Sequence, residues 1–432
     1  MSNEENNNAI PVRLSQVMIV KNEERNIEKA LGWAKDIAFE QIVVDTGSDD
    51  RTVEIAEKLG AKVLHFKWID DFGAAKNFAI EQASGNWIAF LDADEYFTPT
   101  DAKELMVLLE KICGEPEVYE KALVLNMPWV QLGDDGKPIA ITEQYRVFRN
   151  LPTIRYSGRI HELLTAASEN VFRAELNIMH TGYAQSSLKG ADKAHRNITM
   201  LRREMTYKPD DLDLKGYLAD ALCMRDDTDS HAEAELLYRA VADGVGACEY
   251  HKKNALRHLI NKSLNESELY DDGEELCLKA IKEFPDDIDF LYYYGTILNL
   301  KGEHNLAWGQ LQICEQRLLE AKQADVAFLV AAQPLILFSQ LARAAQAMGD
   351  VQNLVKYCTM ILLADKTQAG VLGSYIVTLT QKGISDDEIL TLLSKVYDFK
   401  SIKDMLFIAK TAKECGALPF AKKIVDIAGA AM

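Results

Sequence analysis

The 432-residue chain reads as an α/β domain built on a wound, mixed sheet, followed by an all-α solenoid of stacked helix pairs. Three observations carry that reading. Residues 14–91 alternate short apolar runs with amphipathic stretches, the pattern of a parallel sheet wound with helices. Residues 122–149 change to two long runs on either side of Gly133-Asp134-Asp135-Gly136, an antiparallel hairpin. From about Leu188 the pattern is helical to the last residue, with small side chains recurring at fixed spacing. The expected division is a disordered tail over 1–12, an α/β domain over 13–190 and a helical domain over 191–432.

Residues 1–12 are polar and Asn-rich and can bury nothing. Leu14 to Val20 then reads as a strand, and Lys21 to Asn26 turns into a helix carrying Ile27, Leu31 and Ala34. A second strand, Ile42-Val43-Val44, ends at Asp45. Thr46 to Asp50 is a turn whose Ser or Asp can cap the helix from Arg51 to Leu59. Lys62 to Phe66 is a third strand. Asp71 is suited to cap a helix whose Phe72, Ala75, Phe78, Ala79 and Ala83 share one face and which stops at Ser84-Gly85. Trp87 to Leu91 is too short for a helix and apolar throughout, so it reads as a buried strand running straight into Asp92-Ala93-Asp94-Glu95.

Composition narrows the function classes. The formal charge of −18 is shared, since residues 1–190 hold 30 acidic and 20 basic side chains and residues 191–432 hold 36 and 28. Neither part offers the positive field that nucleic acid or an anionic membrane needs. No signal segment opens the sequence and no apolar run reaches the roughly 18 residues that span a bilayer, so a cytoplasmic protein is expected. The seven cysteines, Cys113, Cys223, Cys248, Cys277, Cys314, Cys358 and Cys415, never form a CxxC pair and read as reduced core residues. Hydrolase (GxSxG), metalloprotease (HExxH) and P-loop signatures do not occur.

Three carboxylates at the end of a buried strand repel one another and resist desolvation, so they need a positive counterpart. A hard divalent cation is one such counterpart, and an Asp-X-Asp unit is the kind of ligand it takes when it also holds a diphosphate. The tripeptide by itself is equally at home in a solvated acidic loop. Its surroundings decide. The runs FGAAKNFA, WIAFLDADE and IVVDTGSDDRTVEIA resemble family 2 glycosyltransferases of the GT-A fold, a Rossmann-like mixed sheet, over residues 13–185. The similarity is greatest to lipopolysaccharide-core glucosyltransferases and to bacterial enzymes with a tetratricopeptide tail that glycosylate peptides or proteins, of the bacteriocin S-glycosyltransferase type.

The resemblance implies roles residue by residue. The Asp45 position contacts the nucleotide base, although an Asp before Thr-Gly-Ser can also merely shape its turn. Asp92 contacts ribose or metal, and Asp94 binds the metal directly. The His180 position, in Ile178-Met179-His180, supplies a further metal ligand, against the plainer reading of a structural His beside Gly182. Lys76 contacts the nucleotide or is an exposed helix lysine. Arg146 and Arg149 fall in RVFR, which resembles an RxFR run of the tailed enzymes, and Arg149 is carried over as donor-binding; alternate exposed strand positions are the other reading. The proton-accepting base should be a carboxylate outside the metal group: Glu162, in Ser157-Gly158-Arg159-Ile160-His161-Glu162, comes first, with Glu95 and Glu143 after it.

In the helical part, Gly295, Gly302 and Ala307, and again Ala342, Gly349 and Leu354, fit the small-residue positions of tetratricopeptide units. Stacked pairs of that kind offer a concave peptide groove, while an oligomerising tail, giving a homodimer, is the other use. Gly182-Tyr183 followed by Lys193, His195, Arg196 and Asn197 resembles the connection at which the first tail helices pack on the catalytic domain. His251 and His258 are read as surface or packing residues. The expected activity is a metal-dependent (Mn or Mg) inverting transfer of a hexose or N-acetylhexosamine from a UDP sugar to a peptide or protein side chain. A lipopolysaccharide-core or capsule transferase with an oligomerising tail, and a non-catalytic tetratricopeptide scaffold, are the alternatives.

Overall fold

A computed structural model describes residues 10–181, 186–320 and 329–430; most of the tail over 1–12, the Gly182-Tyr183 pair and the side chain of Lys193 lie outside the described residues. The chain divides into two compact units, Met1–His231 and Ala232–Met432. The expected change from strands to helices near residue 190 is present, but the compact division falls some forty residues later.

The first unit opens with β1 (Leu14–Val20), α1 (Ile27–Gly32), β2 (Glu40–Asp45), α2 (Thr52–Lys58), β3 (Lys62–His65), α3 (Phe72–Glu81) and β4 (Trp87–Phe90). It continues through β5 (Glu95–Phe97), α4 (Pro99–Gly114), α5 (Pro116–Lys121), β6 (Val124–Leu132), β7 (Pro138–Arg149), β8 (Tyr156–Ser157), β9 (Leu163–Leu164), β10 (Val171–Arg173) and β11 (Ile178–His180). Helices α6 (Ser186–Met205) and α7 (Leu212–Cys223) complete it. The main sheet has the order β3-β2-β1-β4-β7-β6-β11-β5, with β10 on β6. Strands β3, β2, β1 and β4 are parallel, and β7 pairs antiparallel with both β4 and β6. Because the strand order turns back at β1, the carboxyl ends of β1 and β4 flank the crevice where open α/β sheets bind ligands.

Strand β4 is buried along its whole length because it has a layer on each face. Trp87, Ala89 and Leu91 meet Leu105, Leu109 and Ile112 of α4. Ile88 and Phe90 meet Ala79 and Ile80 of α3 together with Phe148 and Tyr156. Met18 and Val43, pointing away from α3, are covered by Ile27, Ala30 and Ala56 of α1 and α2. Helix α3 starts where the sequence places it: the Asp71 carboxylate accepts the Ala74 N–H at 2.8 Å, a cap worth about 1 kcal/mol. Helix α4 carries a comparable signal, Thr98 accepting from Asp101 N with Pro99 in the first turn.

The second unit is helical among its described residues. After α8 (Thr228–Asp243), in which the division falls, come α9 (Glu249–Asn265), α10 (Tyr270–Glu283), α11 (Ile288–Lys301), α12 (His304–Glu320) and α13 (Leu329–Ala332). Then follow α14 (Pro334–Met348), α15 (Val351–Ala364), α16 (Ala369–Gln381), α17 (Asp386–Leu393), α18 (Ile402–Glu414) and α19 (Leu418–Ala430). The small-residue pattern marks real hairpins. Helices α11 and α14 end at Gly302 and Gly349, both with left-handed φ, and each turns into its partner, α12 or α15. His251 is buried in α9 and His258 packs its ring on Tyr238. All the cysteines are free; Cys113, Cys277, Cys314 and Cys358 are buried as expected, whereas Cys248 is exposed and Cys223 and Cys415 are half-buried. Burial pushes the Cys314 and Cys358 thiols up to about 12, so both are packing residues and not thiolates at neutral pH.

At Gly295 the α11 backbone lies against Leu311 of α12, and a Cβ there would fall 2.5 Å from Leu311 Cγ. Gly295→Ala is expected to force the pair apart and cost about 1–3 kcal/mol, read as a lower urea midpoint for the loss of helical circular dichroism.

Candidate active site

The carboxyl ends of the parallel strands are tied together before any catalytic group is considered. Asp45 closes β2, and its carboxylate accepts the N–H groups of Gly47 and Ser48 at 3.1 Å; His65 Nδ1 lies 3.4 Å away. The Ser48 hydroxyl accepts from Asn22 N, and the Asn22 side chain accepts from Asp49 N, joining the β1–α1 turn to the β2–α2 turn. Asp45 therefore does shape its turn, as the plainer reading holds. It also stands at the crevice, two strand spacings or about 10 Å from the end of β4.

At the end of β4 lies a cluster of ions. Lys76, on the inner face of α3, is almost wholly buried. Its Nζ is 2.7 Å from Glu162 Oε1 and 3.6 Å from Asp92 Oδ1, over the rings of Tyr156 and Phe90. Arg146 reaches in from β7. Its Nη2 donates to Asp92 Oδ2 at 3.0 Å and to Glu95 Oε1 at 2.7 Å, and its Nε donates to Glu95 Oε2 at 2.9 Å. Burial works against the charge of Lys76 and Arg146, but Asp92 and Glu162 around the first, and Glu95 and Asp92 around the second, raise both above their ordinary values. Burial would raise Asp92; Lys76, Arg146 and His180 overcome it and hold the carboxyl below the usual range. Both cations and Asp92 are thus charged at neutral pH.

Asp94 and His180 form a second group beside the first. His180 ends β11, is stacked on Trp129 at 4.2 Å, and places Nε2 3.3 Å from Asp94 Oδ2. The Asp94 carbonyl accepts from both the N–H and the hydroxyl of Thr181, which fixes the turn. Two ligands in neighbouring positions on a six-coordinate ion with bonds of about 2.1 Å lie about 3 Å apart, so the pair fits a divalent cation in spacing and in its oxygen and imidazole donors. Among the described residues no third His, Cys, Asp or Glu completes a ligand group there.

Several expectations change. Asp92, expected to contact ribose or metal, faces Lys76 and Arg146, with His180 near enough to add to their effect, so much of its charge is met by the protein's own cations. Glu95, a candidate base, is 1% exposed and already accepts from Arg146, from Trp129 Nε1 at 2.7 Å and from Asp92 N at 2.9 Å; no oxygen is left for an acceptor's proton. Glu143 is on the exposed edge of β7, held by Asn126 and Arg173. Arg149 is displaced in two ways. It lies beyond the irregularity that the β6–β7 pairing shows at Arg146, and it pairs with Trp87 at the opposite end of β4, where its Nη1 donates to the Tyr119 carbonyl and its guanidinium lies 3.4 Å over the Tyr119 ring. It is a packing residue.

Two participants are absent from the sequence reading. Trp129 bridges the two groups, donating to Glu95 while stacking on His180. Tyr156 supports Lys76 from below, its backbone held at both ends by the Asn77 side chain at 2.8 and 2.9 Å, and its hydroxyl is buried with no hydrogen-bond partner among the described residues. Neither has a local signature, since Trp129 matters only through the pairing of β6 in the main sheet and Tyr156 only through its packing on Phe90.

The wound sheet, with its Asp-X-Asp turn at the switch point, is the arrangement the sequence resemblance leads one to expect. Residues 15–128 match the family model described as Glycosyl transferase family 2. A TPR repeat-containing protein of Synechococcus elongatus is 34% identical over 229 residues, 51% of this chain and 54% of that one. The SPbeta prophage-derived glycosyltransferase SunS of Bacillus subtilis is 28% identical over 198 residues, 45% of each. The aligned part of this chain thus spans only about half the length of these relatives, 54% and 45%. Among solved structures, TarS 1-349 of S. aureus in complex with UDP-GlcNAc aligns with 53% of this chain and 81% of its own, at 15% identity and a TM-score of 0.32.

Two outcomes follow from the ion cluster. Glu95→Ala leaves Arg146 buried without its main partner and should lower stability by about 3–5 kcal/mol, measured by denaturant unfolding. Asp92 binds its proton more weakly folded than unfolded, where its value is about 3.9. Its contribution is therefore complete above about pH 4 and is lost as the pH falls through the folded value. Asp92→Asn should narrow the drop in melting temperature between about pH 6 and about pH 3.

Proposed function

We propose that the protein is a metal-dependent inverting glycosyltransferase that moves a hexose or N-acetylhexosamine from a UDP sugar to a peptide or protein side chain. The observation that carries this reading is the pairing, at one switch point, of a buried Lys76–Glu162 couple with the Asp94–His180 pair. The family 2 domain supports the reaction class, and the likeness to a TPR repeat-containing protein and to SunS supports a transferase joined to a helical region. No helix of the described residues is long and apolar enough to cross a membrane.

Asp45 receives the base of the nucleotide, and the crevice between β2 and β4 takes the nucleoside. Asp94 and His180 would hold a divalent cation, which would supply Lewis-acid stabilisation to a departing diphosphate. Lys76 and Arg146 add fixed positive charge on the same side, already desolvated and oriented, which is where such charge is most effective. The cluster as built sets two cations against the four carboxylates Asp92, Asp94, Glu95 and Glu162, an excess of negative charge that suits a bound cation.

Glu162 is the base. The acceptor hydroxyl or thiol attacks the anomeric carbon, the bond from that carbon to the diphosphate oxygen breaks with its electron pair leaving on the nucleotide, and the acceptor's proton passes to Glu162. In the structure Lys76 occupies Glu162 Oε1. An arriving diphosphate offers Lys76 a more highly charged partner and so frees the carboxylate when a donor is present. Stacked helix pairs such as those of the second unit are the kind of surface that takes a peptide.

The test is direct. Asp94→Ala should remove transfer of sugar from the UDP donor and weaken donor binding in manganese. Glu162→Gln should lower transfer about 10²- to 10⁴-fold with donor binding kept. Full transfer activity in Asp94→Ala would end the metal reading, and full activity in Glu162→Gln would end the assignment of the base.

A further inference from the structure

We propose that α6 and α7, the first helices after the sheet, clamp the loop that carries Glu162, and that Tyr217 of α7 is the positioning residue; the proposal rests on the transfer reaction above. The loop joins β8 to β9, strands of two residues each, so little of its own hydrogen bonding fixes it. The fixing comes from outside. The Arg159 carbonyl accepts from Phe72 N at 2.8 Å, and the Arg159 guanidinium is 3.4 Å from Glu204 of α6 and 3.9 Å from Asp71, with its far face toward the Tyr207 ring. Glu204 is itself buried. One end of the loop is thereby tied to α6 and to the cap of α3.

The other end is His161, the residue before Glu162. Its backbone takes φ +51°, a left-handed conformation uncommon outside glycine. Its ring lies flat on Tyr217, with centroids 3.6 Å apart and planes within 5°. The stack spans 56 residues of sequence and belongs to one compact unit. A backbone set against its preference at His161 fixes where the next side chain points, and Glu162 Oε1 accordingly meets Lys76 at 2.7 Å. Removing the Tyr217 ring takes away the face on which the His161 imidazole lies, and with it a constraint on where Glu162 points. The donor contacts expected of Asp45, Asp94 and His180 stand on other elements and do not depend on this stack.

Tyr217 is half-exposed, so truncating it in the full chain leaves the core intact. In Tyr217→Ala the amides of residues 157–164 should exchange with deuterium faster than in the unaltered protein, while those of β1 and β4 do not change. The kcat for sugar transfer should fall tenfold or more, as displacement of a reacting group by a fraction of an ångström does, with KM for the donor within about twofold. Tyr217→Phe, which keeps the ring, should bring back both loop protection and kcat. Unchanged exchange in Tyr217→Ala overturns the clamp, and a loosened loop with unchanged kcat overturns its catalytic role. An unaltered protein that transfers no sugar overturns the functional reading instead, and the exchange comparison then decides the clamp alone.

Discussion

The structure of the first unit depends on how buried negative charge is met at the end of β4. Asp92, Asp94 and Glu95 fall within four residues of a strand that has no solvent on either face, and a carboxylate in that position is stable only with a cation or a set of donors against it. The fold supplies these from four directions: Lys76 from α3, Arg146 from β7, Trp129 from β6 and His180 from β11. Each partner pins its own element. Helix α3 cannot slide along the sheet without drawing Lys76 off Asp92, and β7 cannot shift by one residue without exchanging Arg146 for an apolar side chain.

The same constraint separates structural charge from chemical charge. Glu95 is saturated and buried, so its part is to hold Arg146. Asp92 keeps 37% of its side chain exposed while facing two cations, and is therefore a neighbour that a ligand can meet without first being uncovered. Asp94 and His180 face each other across a gap of the right size for an ion, and neither is held by Lys76 or Arg146. A single acidic stretch thus divides by the direction each side chain faces into an anchor, Glu95, a group shared by two cations, Asp92, and a group paired with His180, Asp94.

Much of this was legible from the residues alone. The parallel strands, the Asp71 cap, the hairpin around Gly133 and the two tetratricopeptide-like hairpins stand where periodicity and turn chemistry place them, because those signals are local. The approach of Asp94 to His180, 86 positions apart, was implied by a resemblance and by no spacing rule. What could not be read was register. Arg146 and Arg149 are equivalent in a string of letters; only the pairing of Trp87 with Arg149 shows that one lies at the charged end of β4 and the other at the far end. Expecting the counterpart of the acidic turn to be a metal overlooked that Lys76 and Arg146 already meet part of the need.

The boundary near residue 190 marks a change in secondary structure, and it is a poor guide to what acts together. A loop between two-residue strands has too few internal bonds to hold a carboxylate in a fixed place, and catalysis by proton transfer needs that place fixed. In this chain contacts from outside the loop come from α6, α7 and the turn between them, whose composition groups them with the helices that follow while Glu204, Tyr207 and Tyr217 meet Arg159 and His161 of the loop that carries Glu162. The compact unit accordingly runs on to His231, past both helices. A helical extension of this kind is more than an appendage: its first two helices, α6 and α7, belong to the same compact unit as the sheet.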